Sequence, residues 1–134
     1  MKRPVLIDTS FLIALERETA NGEMGPARTF LPSLRGRPVA VSVVTVAEIL
    51  EGAADDTAAL GSLQRFSIQG VHLAQARRCA LLQRRATRRM GENDAWLVAT
   101  AETLDADIVG ADRTAFDRLG SRYLRFSAVR RRAP

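Results

Sequence analysis

The sequence predicts an α/β protein of three layers, with helices on both faces of a mainly parallel central sheet. Three observations point there. Short apolar runs alternate with helical stretches along the whole chain. Val5-Leu6-Ile7 and Ile108-Val109 are continuous apolar runs, the pattern of strands covered on both faces. Asp8-Thr9-Ser10 follows the first run directly and supplies capping residues for a helix.

Taken in order, Val5 to Ile7 reads as the first strand and Phe11 to Glu18 as the first helix. Gly25-Pro26 opens a second helical stretch to about Leu34, with Pro26 suited to a first turn. Val39-Ala40-Val41 is the second strand, and the pattern from Val43 to Ala53 is helical. Asp55-Asp56-Thr57 caps a further helix to about Phe66. Ile68 to Leu73 reads as a weak third strand around Gly70, and Gln75 to Met90 as a long arginine-rich helix. Gly91-Glu92-Asn93 breaks it. With Asn93 as N-cap, the next helix runs from Asp94 to Leu104. Asp107 to Val109 is a fourth strand, Thr114 to Leu119 a short helix, and Tyr123 to Phe126 a last strand. The 134 residues make one domain over 1–126, followed by a basic tail over 127–134 that contains Arg130-Arg131-Arg132.

Composition narrows the function. An apolar share of 46% and a charged share of 26% exclude a disordered chain. No apolar run reaches membrane length, and Asp8 interrupts any secretory core at the N-terminus, so the expectation is a cytoplasmic protein with no membrane partner. One cysteine, Cys79, excludes a disulfide framework and a thiolate zinc cage. One histidine, His72, excludes any mechanism that needs two imidazoles. Both read as core residues. The chemistry must run on carboxylates, hydroxyls and amides.

Four acids occupy positions that a solvated acid would not choose. Asp8 ends a buried strand and Asp112 follows another, where open α/β sheets bind ligands. Glu48 lies inside the apolar helix Val43-Val44-Thr45-Val46-Ala47-Glu48-Ile49-Leu50, on a stripe with Val44 and Thr45. Burial of a lone carboxylate there requires a cation or donors. Asp94 stands three, four and seven residues before Leu97, Val98 and Ala101, which projects it from an apolar stripe toward the sheet. Oxygen-only ligands of this kind suit Mg²⁺ or Mn²⁺. Glu51, Asp55 and Asp117 read as surface charges.

Charge points the same way. The net charge is +5, and 19 of the 20 basic residues are arginine. Residues 1–64 carry a net −2 and residues 65–134 a net +7, so the basic half suits a polyanion. Arginines 77, 78, 84, 85, 88 and 89 come in pairs along one helix, either a phosphate-binding stripe or a solvated face. Aromatics make up only 5%, too few for a base-stacking platform.

In this order the motifs resemble those of a PIN domain, and specifically the VapC-type toxins of bacterial toxin–antitoxin pairs. The resemblance runs from Val5 to about Phe126. It rests on Leu6-Ile7-Asp8-Thr9-Ser10, on Val46-Ala47-Glu48-Ile49-Leu50-Glu51-Gly52, on Asn93-Asp94-Ala95-Trp96-Leu97-Val98-Ala99-Thr100-Ala101, and on Ala106-Asp107-Ile108-Val109-Gly110-Ala111-Asp112 with Phe116. It implies an Mg²⁺- or Mn²⁺-dependent endoribonuclease in which a metal-activated water cuts RNA and leaves a 5′-phosphate and a 3′-hydroxyl. Asp8, Glu48, Asp94 and Asp112 would form the catalytic cluster, with Asp8, Asp94 and Asp112 at the metal. Ser10, Thr9 and Asn93 would support them. Transfer or ribosomal RNA would be the substrate. A cognate antitoxin would pack on the first helix, where Phe11, Leu12 and Leu15 offer an apolar lining, and the chain would form a homodimer. One position departs from the family pattern: Gly110 stands where a Ser or Thr is common, two residues before the fourth acid. The alternative is a catalytically idle PIN-like module that binds RNA or protein. Aspartyl phosphotransfer is disfavoured, because the position two after Asp8 is Ser10 and the one lysine is Lys2.

Overall fold

Alternate residues along the strands go to opposite faces, and that period of two divides the protein into layers. Leu6, Ala40, Ile108 and Tyr123 face one core, while Val5, Ile7, Val39, Val41, Val109 and Leu124 face the other. The computed structural model describes residues 2–111 and 114–126. The five strands β1 (Val5–Ile7), β2 (Val39–Ser42), β3 (Ser67–Gln69), β4 (Asp107–Gly110) and β5 (Tyr123–Arg125) lie in the order β3-β2-β1-β4-β5. All neighbours are parallel, with Ile7 opposite Val109 and Val5 opposite Val39. The expected three-layer α/β/α architecture is therefore the observed one.

Helices α1 (Thr9–Asn21), α2 (Pro26–Phe30), α3 (Val43–Glu51) and α4 (Asp56–Leu63) cover the Val5/Ile7 face. A short 3₁₀ turn, Leu31–Leu34, continues α2. Helices α5 (Leu73–Arg85) and α6 (Glu92–Leu104), with the 3₁₀ segment Thr114–Arg122, cover the Leu6/Ile108 face. The core is aliphatic on β1 and β4, where Val5, Ile7, Ile108 and Val109 are fully buried. Three edge-to-face ring pairs, Phe11–Phe30, Phe11–Phe126 and Phe116–Tyr123, tie the outer elements to it. No helix among the described residues is long and apolar enough to cross a membrane.

Several boundaries differ from expectation: α1 extends to Thr9 and Asn21, α4 ends at Leu63, and three further differences have identifiable causes. The third strand ends at Gln69 rather than at Leu73, because His72 and Gln75 form a capping box that starts α5. His72 is exposed at that cap and is not a core residue. Helix α5 stops at Arg85, not at Met90. Beyond it the Gln83 side chain accepts from Met90 N at 2.9 Å and donates to Met90 O at 3.0 Å, which replaces helical bonds. Helix α6 begins at Glu92 with Gly91 as its N-cap, so Asn93 sits inside the first turn and does not cap.

The topology orients two opposite sheet edges. Asp105 and Ala106 alone separate α6 from β4, so α6 runs antiparallel to the strands and its end lies at the edge where they start. Thirteen helical residues span about 20 Å and a four-residue strand about 13 Å, so the first turn of α6 reaches the edge where the strands end. Asp8 and Gly110 end their strands at that same edge. Helix α5 runs antiparallel to α6: Gln75 Nε2 donates to Thr103 Oγ1 at 2.7 Å at one end, and Gln83 holds Met90 at the other.

Candidate active site

Asp8 occupies the N-cap position of α1, and its side chain makes no capping bond there. Its carboxylate is instead turned across the sheet edge. Ser10 Oγ donates to Asp8 Oδ2 at 2.8 Å, and Ala111 N donates to Ser10 Oγ at 2.9 Å. Asp8 is 4% exposed, as deep as a core residue. Two hydrogen bonds in series thus fix its orientation from the chain that leaves β4. Gly110 explains how the carboxylate fits. A Cβ at that position would stand 3.0 Å from Asp8 Oδ2 and 3.2 Å from Asp8 Cβ. The space that a side chain would take is filled by the acid itself, so the departure at Gly110 comes with a matching placement of Asp8.

Thr9 does for Glu48 what Ser10 does for Asp8. Thr9 Oγ1 donates to Glu48 Oε1 at 2.7 Å and links the first turn of α1 to α3. Glu48 is exposed, which corrects the expectation of a buried acid. On α3, Thr45 is buried and Val46, Ile49 and Leu50 are half-buried, while Val43, Ala47, Glu48 and Glu51 face outward. The carboxylate therefore stands at the rim.

Asp94 is half-buried in the first turn of α6, above Leu97, Val98 and Ala101, which are 3% exposed or less. An acid here is favoured by the helix dipole. Its Oδ2 lies 3.4 Å from where a Cβ on Gly91 would be, so the side chain folds back toward its own cap. Asn93 is exposed beside it. Asp112 lies outside the described residues, as do Arg130, Arg131 and Arg132.

The structure thus brings Asp8, Ser10, Thr9, Glu48 and Asp94 to one edge. Among the described residues, no three carboxylate, imidazole or thiol groups are close enough together to hold an ion. The donor chemistry fits a hard divalent cation: the site offers oxygen only, with His72 at the opposite end of α5 and Cys79 buried. Burial pushes the Cys79 thiol above its ordinary value, which keeps it protonated and inert.

Two buried acids escaped the sequence reading. Glu18 is 5% exposed and accepts from Ala27 N at 3.0 Å and Arg28 N at 2.8 Å, capping α2 from a distance. Gly25 leaves the room: a Cβ there would come within 2.5 Å of Glu18 Cδ. The signal was the absence of a Ser, Thr, Asp or Asn before Pro26, which leaves helix amides without a local acceptor. Asp107, at the opposite sheet edge, is 6% exposed and binds Arg3 at 3.0 Å and Arg37 at 2.5 Å. The hydrogen bond and charge of Asp107 hold the Arg3 guanidinium above its ordinary value.

The model of the PIN domain family matches residues 5–121. Several solved structures have the same fold. A toxin–antitoxin complex from Klebsiella pneumoniae aligns with a TM-score of 0.73 at 21% identity, covering 91% of this chain and 97% of that one. VapBC-1 from nontypeable Haemophilus influenzae aligns at 0.69 and 17% identity, covering 92% and 98%. DNA-bound VapBC from Salmonella typhimurium aligns at 0.69 and 18% identity, covering 93% and 99%. No curated protein matches the sequence.

Proposed function

The chain belongs to the PIN domain family, and from that premise we propose that it is a divalent-metal-dependent endoribonuclease, the toxin of a toxin–antitoxin pair. The observation that carries this reading is Asp8: a carboxylate buried to 4% exposure at the end of a central strand, unused as a helix cap and aimed by Ser10. A buried carboxylate held in one orientation at a strand end suits a positively charged ligand at that edge. Asp94 and the Thr9-held Glu48 share the edge.

Asp8 and Asp94 would hold Mg²⁺ or Mn²⁺, with Asp112 as the third ligand that the family resemblance implies. Such a cation supplies charge neutralisation at a phosphate and a lowered pKa for water. Ser10 keeps Asp8 Oδ2 in one orientation. Thr9 keeps Glu48 at the rim, where an exposed carboxylate can accept a proton or position a water. RNA as substrate and hydrolysis to a 5′-phosphate and a 3′-hydroxyl complete the reading.

The antitoxin would lie along α1 and α2. Phe11, Leu12 and Leu15 are 0–2% exposed and belong to the core, and none of them lines the concavities between α1 and α2. Their neighbours do. Two adjoining concavities of about 700 and 840 Å³ share Glu23, Gly25, Pro26 and Phe126. Ser10 of the candidate site lines one, and the 67%-exposed Met24 lines the other. Ile13, 50% exposed, adds an apolar contact next to Ser10. A peptide in this channel would end at the acids, where a basic side chain would quench them. A homodimer belongs to the same reading.

The test is incubation of purified protein with total RNA in Mg²⁺ or Mn²⁺, with EDTA as control, followed by end-group analysis. Metal-dependent fragments with 5′-phosphates support the reading. Fragments with 2′,3′-cyclic phosphates, or no cleavage with any metal, contradict it and leave the idle binding module.

A further inference from the structure

The outer face of α5 carries a second surface that the carboxylate site does not use. Two concavities meet there. One, of about 450 Å³, is lined by Ala74, Arg77, Arg78, Leu81, Arg84 and Thr103. The other adds Arg85 and Arg118 around Arg78 and Leu81. Five arginines line the two, and none of the lining residues is acidic.

Their counter-charge is incomplete. Arg78 and Arg118 share Glu102 at 2.7 and 3.4 Å. Arg77, Arg84 and Arg85 are exposed and make no ion pair among the described residues. The helix itself does not call for this pattern. Arg84 and Arg85, in the last turn, complement the helix dipole, whereas Arg77 and Arg78 lie in its first half and gain nothing from it. Arg77 and Arg84 are seven residues apart on one face, about 10 Å along the axis. Like charges packed this closely repel, and a polyanion removes the repulsion.

The row also has a direction. Helix α5 runs antiparallel to α6, so Arg84 and Arg85 lie toward the edge that carries Asp94, and Arg77 lies farther back. We propose that this arginine-lined face of α5 binds the sugar-phosphate backbone of RNA and leads it to the carboxylate edge. The inference rests on the nuclease reading for its choice of polyanion. Arginine suits the role, since its planar fork binds phosphate oxygens in pairs.

The test measures binding apart from cleavage. A fluorescein-labelled mixed-sequence RNA is titrated with the full chain in EDTA, at several salt concentrations, by anisotropy. Arg77→Gln/Arg84→Gln is compared with Lys2→Gln/Arg35→Gln, which removes the same charge from exposed positions near the opposite sheet edge. The α5 pair is expected to weaken binding about tenfold and to reduce the salt slope by roughly 1.4, as loss of two phosphate contacts on a single strand requires. The control pair is expected to change affinity less than about twofold, and Arg77→Lys/Arg84→Lys to restore most of the loss. In Mg²⁺ the α5 pair would raise KM and leave kcat unchanged. Equal losses in both pairs, or none in the α5 pair with unchanged melting, overturn the inference. If the protein binds RNA through α5 yet cleaves nothing, the nuclease reading fails and this one stands. If it cleaves RNA and the α5 pair binds as the parent does, the reverse holds.

Discussion

The two edges of the sheet treat a buried aspartate in opposite ways. At the edge where the strands begin, Asp107 meets two guanidinium groups, from Arg3 and Arg37, and Arg37 Nε is itself anchored on Arg3 O at 3.0 Å. At the edge where they end, Asp8 meets the hydroxyl of Ser10, and Glu48 meets that of Thr9. A guanidinium neutralises a carboxylate as well as orienting it. A hydroxyl donates to one carboxylate oxygen and so fixes its orientation. The first arrangement locks the N-terminal chain and the loop before β2 onto β4. The second orients two acids, on the end of β1 and on α3, from the first turn of α1.

Changes at the two edges are expected to separate activity from stability. The largest effect is expected from Asp8→Asn, which keeps the shape and removes the charge: RNA cleavage falls by roughly a hundredfold or more with melting unchanged or raised. Next comes Asp107→Ala. It leaves two arginines without their shared acid and, given their partial exposure, lowers stability by about 1–3 kcal/mol in urea unfolding. The folded fraction cleaves at the parent rate. A loss of specific activity in Asp107→Ala would place Asp107 in the catalytic machinery.

Gly110→Ala probes the placement of Asp8 directly. The new methyl would press on Asp8 Oδ2 from 3.0 Å and shift the carboxylate by a few tenths of an ångström. Cleavage is expected to fall about tenfold with little change in melting, because misplacement of a reacting group costs rate before it costs stability. Unchanged cleavage would mean that Asp8 tolerates displacement. The smallest effect belongs to neither edge. The buried Cys79 thiol keeps its proton after the unfolded chain has lost it, so its contribution is full below the ordinary thiol range and is lost as pH rises above it. As pH rises above the ordinary thiol range, the melting temperature of the parent should fall slightly more steeply than that of Cys79→Ala.

Which of these features the sequence could reveal follows from the range of the interactions. The strand–acid junction at Asp8, the fourth strand and the apolar stripe behind Asp94 are local patterns, and each is where the pattern puts it. Glu48 stands at the sheet edge but is exposed rather than buried. Apolar neighbours do not reveal that Val43 and Ala47 face outward, and the Thr9 bond spans 39 residues. Asn93 looked like a cap because Asn prefers that position, yet Gly91 already supplies the extended backbone before α6. The Arg3–Asp107–Arg37 cluster and the Glu18 cap of α2 join distant segments, and no periodicity reports them. Gly110 read as a missing hydroxyl. Its meaning, room for Asp8, exists only once β1 and β4 pair.

The most direct measurement is the rate of RNA cleavage in Mn²⁺ by the parent, Asp94→Asn and Asp107→Asn proteins, each with its melting curve. Asp94→Asn is expected to be folded and inactive, and Asp107→Asn less stable but active. Cleavage retained in Asp94→Asn, or lost in a folded Asp107→Asn, would contradict the assignment of chemistry to the edge where the strands end.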